Sequence, residues 1–284
     1  MAWYQPQELT EALDMMATRE PVIVCGGTDV FVNWLRRKQQ FQGRDWLDIH
    51  RIQSVREIRR VEDGLLIGAA VTAAEIWQSP ICNAIPSLQE AARVVGGWQI
   101  QNRASIAGNV ANASPAADMM VPLFALGARV VLQSVQGERR IRIEDFVLGP
   151  KQTSILKHEL ITHIHIPETG LFAPQTFLRL DQRGGTDISL VSVAVVAKVD
   201  RQASHVNIVV GAASPKPFSV PMAEEMVHKD AASDVMKRVA ALYAAHAAPI
   251  TDVRASADYR RAMVGVLVER VLGKVLLAPQ TTTG

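Results

Sequence analysis

The stretch from residue 96 to residue 134 constrains the fold most, because a glycine-containing turn there separates a helical pattern from a strand pattern. The centre of the turn is residues 105–109, SIAGN. Glycine has no Cβ, so backbone N–H groups of such a turn can lie against a phosphate, and serine and asparagine add polar partners. A second glycine turn, CGGTD at residues 25–29, follows the apolar run 21–24. Two turns of this kind in one chain indicate a ligand with two linked phosphates.

The turn at residues 25–29 lies between a strand pattern and a helix pattern. A helix is predicted over residues 9–16 and a buried strand over residues 22–24, and apolar residues 31, 34 and 35 return at helical spacing after the turn. This order points free helix N–H groups at the turn. A simple strand–helix connection that needs glycine for its geometry explains the same pattern, so both interpretations stay open. The spacing differs from GxGxxG, which argues against a Rossmann domain.

Short strands and two helices are predicted between the two turns. The strands are expected at residues 46–49, 58–61 and 65–70. Thr72 with Glu75, and Ser87 with Glu90, both have the spacing of a capping box, so a helix is predicted at each. The second helix ends at the glycines 96–97 and leads the chain into the central turn.

Asp118 follows the central turn, and two roles for it stay open. It can cap the helix that is predicted after it. It can equally accept a hydrogen bond from a sugar hydroxyl of a ligand.

The chain beyond residue 128 is predicted to be rich in strands, followed by helices. The strands are expected at residues 128–132, 160–166, 190–199 and 206–213, and the last amphipathic helix carries apolar residues at 259, 263, 267 and 271. His163 and His165 share one face of a strand, but with no third ligand nearby a surface or packing role is favoured over a metal site. The change of pattern near residues 167–174 is a candidate domain boundary.

Composition excludes several classes of function. The 30 basic and 28 acidic residues give a net charge of +2, so no electrostatic footprint for nucleic acid or an anionic membrane is present. No apolar run is long enough to span a bilayer, and the acidic N-terminal segment does not resemble a secretory signal, so a cytoplasmic protein is expected. The two cysteines, Cys25 and Cys82, are far apart and not in a CxxC motif, which argues against a chain-borne metal cluster. A redox-active group would therefore have to be an organic cofactor.

Four segments together resemble one known family. They are VCGGTDVF (24–31), QIQNRASIAGNVANASPAAD (99–118), ELITHIHIP (159–167) and FLRLDQRGGTDISLVSVA (177–194). They are similar to the FAD-binding subunit of molybdenum hydroxylases, a family that includes the flavin subunits of bacterial xanthine and carbon monoxide dehydrogenases. The segments GAASPKPFSVPMAEEMV and TDVRASADYRRAM resemble the C-terminal domain of the same family, so the resemblance covers nearly the whole chain.

The resemblance implies an α+β protein with two domains. Residues 1–168 are expected to form a two-lobed FAD-binding domain of the vanillyl-alcohol-oxidase (PCMH) type, with lobes at about 1–55 and 56–168. Residues 169–284 are expected to form a C-terminal α+β domain with a small antiparallel sheet and helices. FAD is expected between the lobes and the C-terminal domain.

The resemblance also implies the residues that bind FAD. No catalytic residue and no metal ligand is implied. The expected cofactor-binding residues are Val24, Cys25, Gly26, Gly27, Thr28, Asp29, Val30 and Phe31 in the first turn, Ser105, Ile106, Ala107, Gly108 and Asn109 in the second, and Asp118, Ile161 and Arg179 elsewhere.

The implied function is electron transfer within a multi-subunit enzyme. Electrons would reach FAD from a small subunit with [2Fe-2S] clusters, after leaving the substrate at a large subunit with a molybdenum cofactor, and pass to NAD or another acceptor. The assembly is expected to be a dimer of heterotrimers. Two alternatives stay open: a stand-alone FAD-dependent oxidoreductase of the same superfamily, and a flavin-free assembly subunit.

Three positions depart from the family pattern. Ala107 replaces the first of two glycines and is compatible with the turn if its φ is negative. Gln101 replaces an arginine, which removes a positive charge near the second turn. Arg179 stands where lysine is usual, and the planar guanidinium is not equivalent to an ammonium group.

Overall fold

The computed structural model describes residues 1–36, 38–199, 204–227 and 233–276. The predicted C-terminal domain runs to residue 284, so its end, 277–284, lies outside the described residues. The three larger sheets comprise a parallel sheet of three strands, an antiparallel sheet of five strands and an antiparallel sheet of three strands. This is the predicted α+β fold, with a two-lobed first part and a C-terminal part that carries a small antiparallel sheet and helices.

The first lobe is built on the parallel sheet. Its elements are β1 (Trp3–Tyr4), α1 (Leu9–Arg19), β2 (Val22–Val24), α2 (Val30–Arg36), α3 (Lys38–Phe41) and β3 (Trp46–Asp48). β3 lies in the middle, where Trp46 pairs with both Trp3 and Val22. The rings of Trp3, Phe31 and Phe41 stack on Trp46 with centroids 5.7–6.1 Å apart. This aromatic cluster provides the apolar contact that so short a sheet cannot supply alone.

The second lobe surrounds the five-stranded sheet, whose order is β4-β5-β10-β6-β7. Its strands are β4 (Ile58–Val61), β5 (Gly64–Gly68), β6 (Arg129–Ser134), β7 (Gly137–Arg142) and β10 (Leu160–Pro167), and β8 (Val147–Gly149) pairs with β9 (Gln152–Thr153). Its helices are α4 (Ala73–Gln78), α5 (Pro86–Arg93), α6 (Trp98–Gln101), α7 (Ile106–Ala111), α8 (Met120–Ala125) and α9 (Ile143–Phe146). β10 occupies the centre of the sheet, so it presents buried side chains on both faces.

The described residues of the C-terminal part form one sheet and three helices. They are β11 (Gln175–Leu180), β12 (Val191–Val199), β13 (Ser204–Gly211), α10 (Pro221–Glu224), α11 (Ser233–His246) and α12 (Ala257–Leu276). Val191, Val193 and Val195 of β12 pack in the core under α11 and α12, whereas Ala194 and Val196 pack in the core of the second lobe. Apolar residues occupy both faces of β12 because both faces are covered. None of the described helices is both long and apolar enough to cross a membrane.

One of the two predicted capping boxes is wrong. Thr72 and Glu75 form the predicted box at the start of α4. α5, in contrast, begins at Pro86, so Ser87 lies inside its first turn. The carboxylate of Glu90 instead accepts hydrogen bonds from the backbone N of Phe177 and from the hydroxyl of Thr176, both on β11. The Ser87–Glu90 spacing therefore serves the contact between α5 and the C-terminal sheet, a long-range role that local spacing does not reveal.

The two histidines of β10 have separate neighbours. A bulge lies between Ile161 and His163 in the pairing of β10 with β6. His163 Nε2 lies 3.1 Å from the carbonyl oxygen of Ser54, and His165 Nε2 lies 3.2 Å from Asp63 Oδ1. The residues that the structure describes hold no group of three metal-ligating side chains here or elsewhere.

Candidate functional site

The two glycine turns lie against each other at the candidate site. A Cβ added to Gly26 would be 2.1 Å from the carbonyl oxygen of Arg103 and 3.0 Å from the backbone N of Ser105. Only glycine lets the first turn come this close to the chain that enters the second turn. The next residue, Gly27, has a φ of 77°, which also favours glycine. The structure thus brings together two turns that are about eighty positions apart in the sequence.

The two turns differ in the backbone donors that they leave free. Among the described residues, 26–29 donate no backbone hydrogen bond, so their N–H groups are available to a ligand. The N–H groups of residues 106–109 are already used: they donate to the carbonyl oxygens of Val71 and Ala69 and to the carbonyl and hydroxyl oxygens of Ser105, the N-cap of α7. The first turn therefore offers the anion-binding groups, and the second contributes shape and side chains.

A cavity of about 540 Å³ opens beside the turns. Ile155 and residues 159–161 also line it. Apolar side chains predominate, and a few polar groups converge on it, as is typical of a cofactor site. The predicted site residues that line it are Cys25, Gly26, Gly27, Thr28, Asp29, Val30, Ser105, Ala107, Gly108, Asn109 and Ile161.

The other predicted residues lie outside this cavity. Val24 and Ile106 are buried behind the turns, and the ring of Phe31 belongs to the aromatic cluster around Trp46. Asp118 lines a second hollow of about 390 Å³, together with Gly96, Ser114, Ala116, Ala117, Arg183 and residues 186–188. Val95, Asn109 and Asn112 line both spaces, so the two are adjacent. Arg179 lines neither.

Asp118 and Arg179 form a buried ion pair. Arg179 Nη1 donates to Asp118 Oδ2 at 2.9 Å, and the Ser189 hydroxyl donates to Asp118 Oδ1. Burial raises the pKa of Asp118 to about 6, although Arg179 and Ser189 act in the opposite direction. Its carboxylate makes no capping bond to α8, so the capping role considered for Asp118 is wrong.

The departures at residues 107 and 101 are accommodated. Ala107 lies within α7 and is not among the residues with positive φ, so the turn does not need glycine there. Gln101 is buried, and its side-chain Nε2 donates to the carbonyl oxygen of Arg93 at 2.8 Å. A cation is nevertheless present at the rim of the cavity, because Lys151 Nζ lies 3.8 Å from Asp29 Oδ2 and hydrogen-bonds to Asn112.

The sequence prediction missed Ile155, Glu159 and Leu160 among the residues that line the cavity. Glu159 is buried, and its Oε2 accepts from Arg139 Nη2 and from the backbone N of Leu156, both at 2.8 Å. The ion pair lowers the pKa of Glu159. These bonds hold the segment that places Ile155 at the cavity. Glu159 is visible in the ELITHIHIP segment, but no local pattern links it to Arg139.

The comparisons with known proteins identify the kind of cofactor. Residues 1–169 match the FAD binding domain in molybdopterin dehydrogenase, and residues 176–275 match the carbon monoxide dehydrogenase flavoprotein C-terminal domain. The chain belongs to the family of FAD-binding subunits of molybdenum hydroxylases. Its cofactor is FAD.

Relatives of this flavin subunit match over almost the whole chain. The glyceraldehyde dehydrogenase medium chain of Sulfolobus acidocaldarius is 31% identical over 96% of this chain and 98% of its own. The nicotine 6-hydroxylase medium subunit of Paenarthrobacter nicotinovorans is 31% identical over 94% of each chain. A chain of the carbon monoxide dehydrogenase of Hydrogenophaga pseudoflava, solved without the Mo-pyranopterin moiety, superposes with a TM-score of 0.88 at 26% identity, over 98% of this chain and 97% of its own.

The geometry of this flavin subunit fits FAD. Residues 26–29 present unused N–H groups of the kind that bind a pyrophosphate. Asn109 Oδ1 is buried and has no hydrogen-bond partner among the described residues, so it can accept a bond from the cofactor. The close approach of Gly26 to residues 103–105 keeps both turns beside the same cavity.

Proposed function

We propose that this chain carries electrons through FAD as the flavin subunit of a multi-subunit molybdenum hydroxylase. A small subunit with [2Fe-2S] clusters delivers the electrons, a large subunit with a molybdenum cofactor oxidises the substrate, and NAD or another acceptor receives the electrons from this chain. The observation that carries the proposal is the match to proteins named medium chain and medium subunit over nearly the full length of both partners in each comparison.

The side chains around the cavity favour electron transfer over a stand-alone oxidoreductase. Burial raises the pKa of Cys25 to about 11, so it remains a neutral thiol near pH 7. The carboxylate of Glu159 is occupied by Arg139, and that of Asp118 by Arg179 and Ser189. These two buried carboxylates, one in the cavity and one in the second hollow, are therefore hydrogen-bonded to other protein groups and are not free to transfer a proton to a substrate.

Each group of residues has a distinct part in holding FAD. The N–H groups of residues 26–29 bind the pyrophosphate, Lys151 offsets its negative charge, and Asn109 accepts a hydrogen bond. Because Asn109 lines both spaces, a ligand with its phosphates in the cavity extends past this residue into the second hollow. When bound, FAD supplies the redox chemistry, and the protein supplies binding, orientation and electrostatics. Val24 and Ile106, which are buried, and the ring of Phe31, which stacks on Trp46, support the turns.

The finer features of the proposal follow the same resemblance. We place the boundary between the FAD-binding and C-terminal domains at residues 168–169. The three kinds of subunit assemble as a dimer of heterotrimers in the cytoplasm.

The test is to purify the chain with a tag from its own host under conditions that preserve complexes. The absorption spectrum is recorded, the cofactor is released by heat and identified by mass, and iron and molybdenum are measured in the same sample. We expect about one FAD per chain, with iron and molybdenum in fixed ratio to it.

Two outcomes contradict the proposal in different ways. A yellow chain that purifies alone and turns over an aldehyde or N-heterocycle by itself would be a stand-alone oxidoreductase. A colourless chain that also fails to take up added FAD would be a flavin-free assembly subunit.

A further inference from the structure

Arg179 lies beside the second hollow and hydrogen-bonds to three of the segments that form or adjoin its walls. Its Nη1 donates to the carbonyl oxygen of Val94 at 2.6 Å and to Asp118 Oδ2 at 2.9 Å, and its Nε donates to Asp181 Oδ2 at 3.1 Å. Val94 follows α5 and precedes the wall residue Val95, and Asp118 is itself a wall residue. Asp181 begins the loop that carries the wall residues Arg183 and 186–188. One guanidinium therefore joins three separate segments.

The same guanidinium is buried and does not line the ligand space. The Arg179 side chain is 5% exposed, and Arg179 lines neither the cavity nor the second hollow. We infer that Arg179 is a positioning residue that fixes the shape of the second hollow, and that it acts on FAD through the segments it joins and not by direct contact. The inference rests on the proposed function, because it takes the second hollow to receive part of FAD.

The far end of the same loop is also held by a buried charge. Arg260 Nη1 donates to the carbonyl oxygen of Leu190 at 3.3 Å, and Arg260 Nη2 donates to Asp252 Oδ1 at 2.7 Å. The adjacent Ser189 hydroxyl donates to Asp118. The loop is thus anchored at both ends: Arg179 holds its start, and the bonds of Ser189 and of the carbonyl oxygen of Leu190 hold its end.

Lysine cannot make the same set of contacts. Two nitrogens of Arg179 donate in directions that the planar guanidinium fixes, whereas an ammonium group donates from one point. Arg179→Lys can keep the ion pair with Asp118 but loses the simultaneous bonds to Val94 and Asp181. We expect the walls of the second hollow to become less rigid, while the cavity beside the glycine turns is unchanged.

The experiment compares FAD with ADP, which carries the adenosine and both phosphates but lacks the flavin. Calorimetry on flavin-free protein gives the dissociation constants of both ligands for wild type, Arg179→Lys and a control, Arg261→Lys, whose arginine makes an exposed pair with Asp258 on α12. We expect Arg179→Lys to raise the dissociation constant for FAD about tenfold and that for ADP less than twofold. The control should change neither.

A second variant keeps the test decisive if Arg179→Lys does not fold. Asp181→Asn removes one contact of Arg179 from a residue outside the lining of the hollow, and we expect the same selective loss of FAD affinity, about threefold. Equal losses for FAD and ADP would mean that Arg179 supports the fold alone, and unchanged affinities would mean that it positions nothing, so either result overturns the inference. Failure of the wild-type chain to bind FAD would instead remove the proposed function itself.

Discussion

Replacing Gly26 by alanine tests whether the contact between the two glycine turns builds the FAD site. The added Cβ would lie 2.1 Å from the carbonyl oxygen of Arg103 and 2.9 Å from its carbonyl carbon, whereas ordinary contacts begin at 3.4 Å. Both atoms belong to backbone, so a side-chain rotation cannot relieve the overlap. The turns must separate by roughly an ångström, and overpacking of this kind costs about 1–3 kcal/mol.

The same displacement moves the N–H groups of residues 26–29 relative to the rest of the cavity. If most of the cost of Gly26→Ala falls on the bound state, the dissociation constant for FAD rises about ten- to hundredfold, since 1.4 kcal/mol corresponds to a factor of ten. Flavin fluorescence during titration of the flavin-free protein measures this constant, and circular dichroism checks that the variant is folded.

Gly273→Ala is the matched control for this experiment. Gly273 lies in α12, and a Cβ there would have no atom within 4 Å. We expect FAD binding by this variant to equal that of wild type. A folded Gly26→Ala protein that binds FAD within twofold of wild type would show that the close approach of the turns is not needed for the site.

Three further predictions concern charges around the site. Burial raises the pKa of Asp118 from 3.8 to about 6. Between these two pH values the folded chain keeps Asp118 protonated, whereas the unfolded chain does not. The free energy of unfolding should therefore fall by up to about 3 kcal/mol as pH rises from about 4 to about 6. Urea unfolding at several pH values should show this fall in wild type and lack it in Asp118→Asn; identical pH profiles would refute it. Lys151→Met should raise the dissociation constant for FAD about threefold and weaken its dependence on salt, and an unchanged salt dependence would place Lys151 outside the site. Glu159→Gln should lower the free energy of unfolding by about 2 kcal/mol in urea, whereas Glu138→Gln, at an exposed pair, should change it by less than about 0.5 kcal/mol; equal effects would contradict the anchoring role of Glu159.

Sequence patterns predicted the features that depend on neighbouring residues. The strand before residues 25–29, the helix after them and the capping box at Thr72 all follow from local spacing, and the structure contains each of them. The resemblance to known flavin subunits supplied the family and the FAD cofactor, which composition could only restrict to an organic group. Local chemistry and family motifs were thus sufficient for the fold and the identity of the ligand.

Features that depend on distant residues escaped prediction. Glu90 has the spacing of a capping residue, yet it bonds to β11 because the fold places a backbone N–H there. Glu159 contacts Arg139 because β7 and β10 belong to the same sheet, which the sequence alone does not show. Arg179 was predicted to bind the cofactor because of its position in a family motif. Its hydrogen bonds go to Val94, Asp118 and Asp181, and local spacing does not show that Val94 and Asp118 lie next to it.

The packing of β12 has a consequence for how the chain must be made and handled. Alternate side chains of this strand belong to different cores. If the chain were divided between residues 169 and 176, the C-terminal fragment would expose one apolar face of its sheet. The N-terminal fragment would lack the side chains of that face from its core. Such fragments are expected to aggregate when expressed separately. Unfolding should then be a single concerted event in which both matched regions lose their structure together.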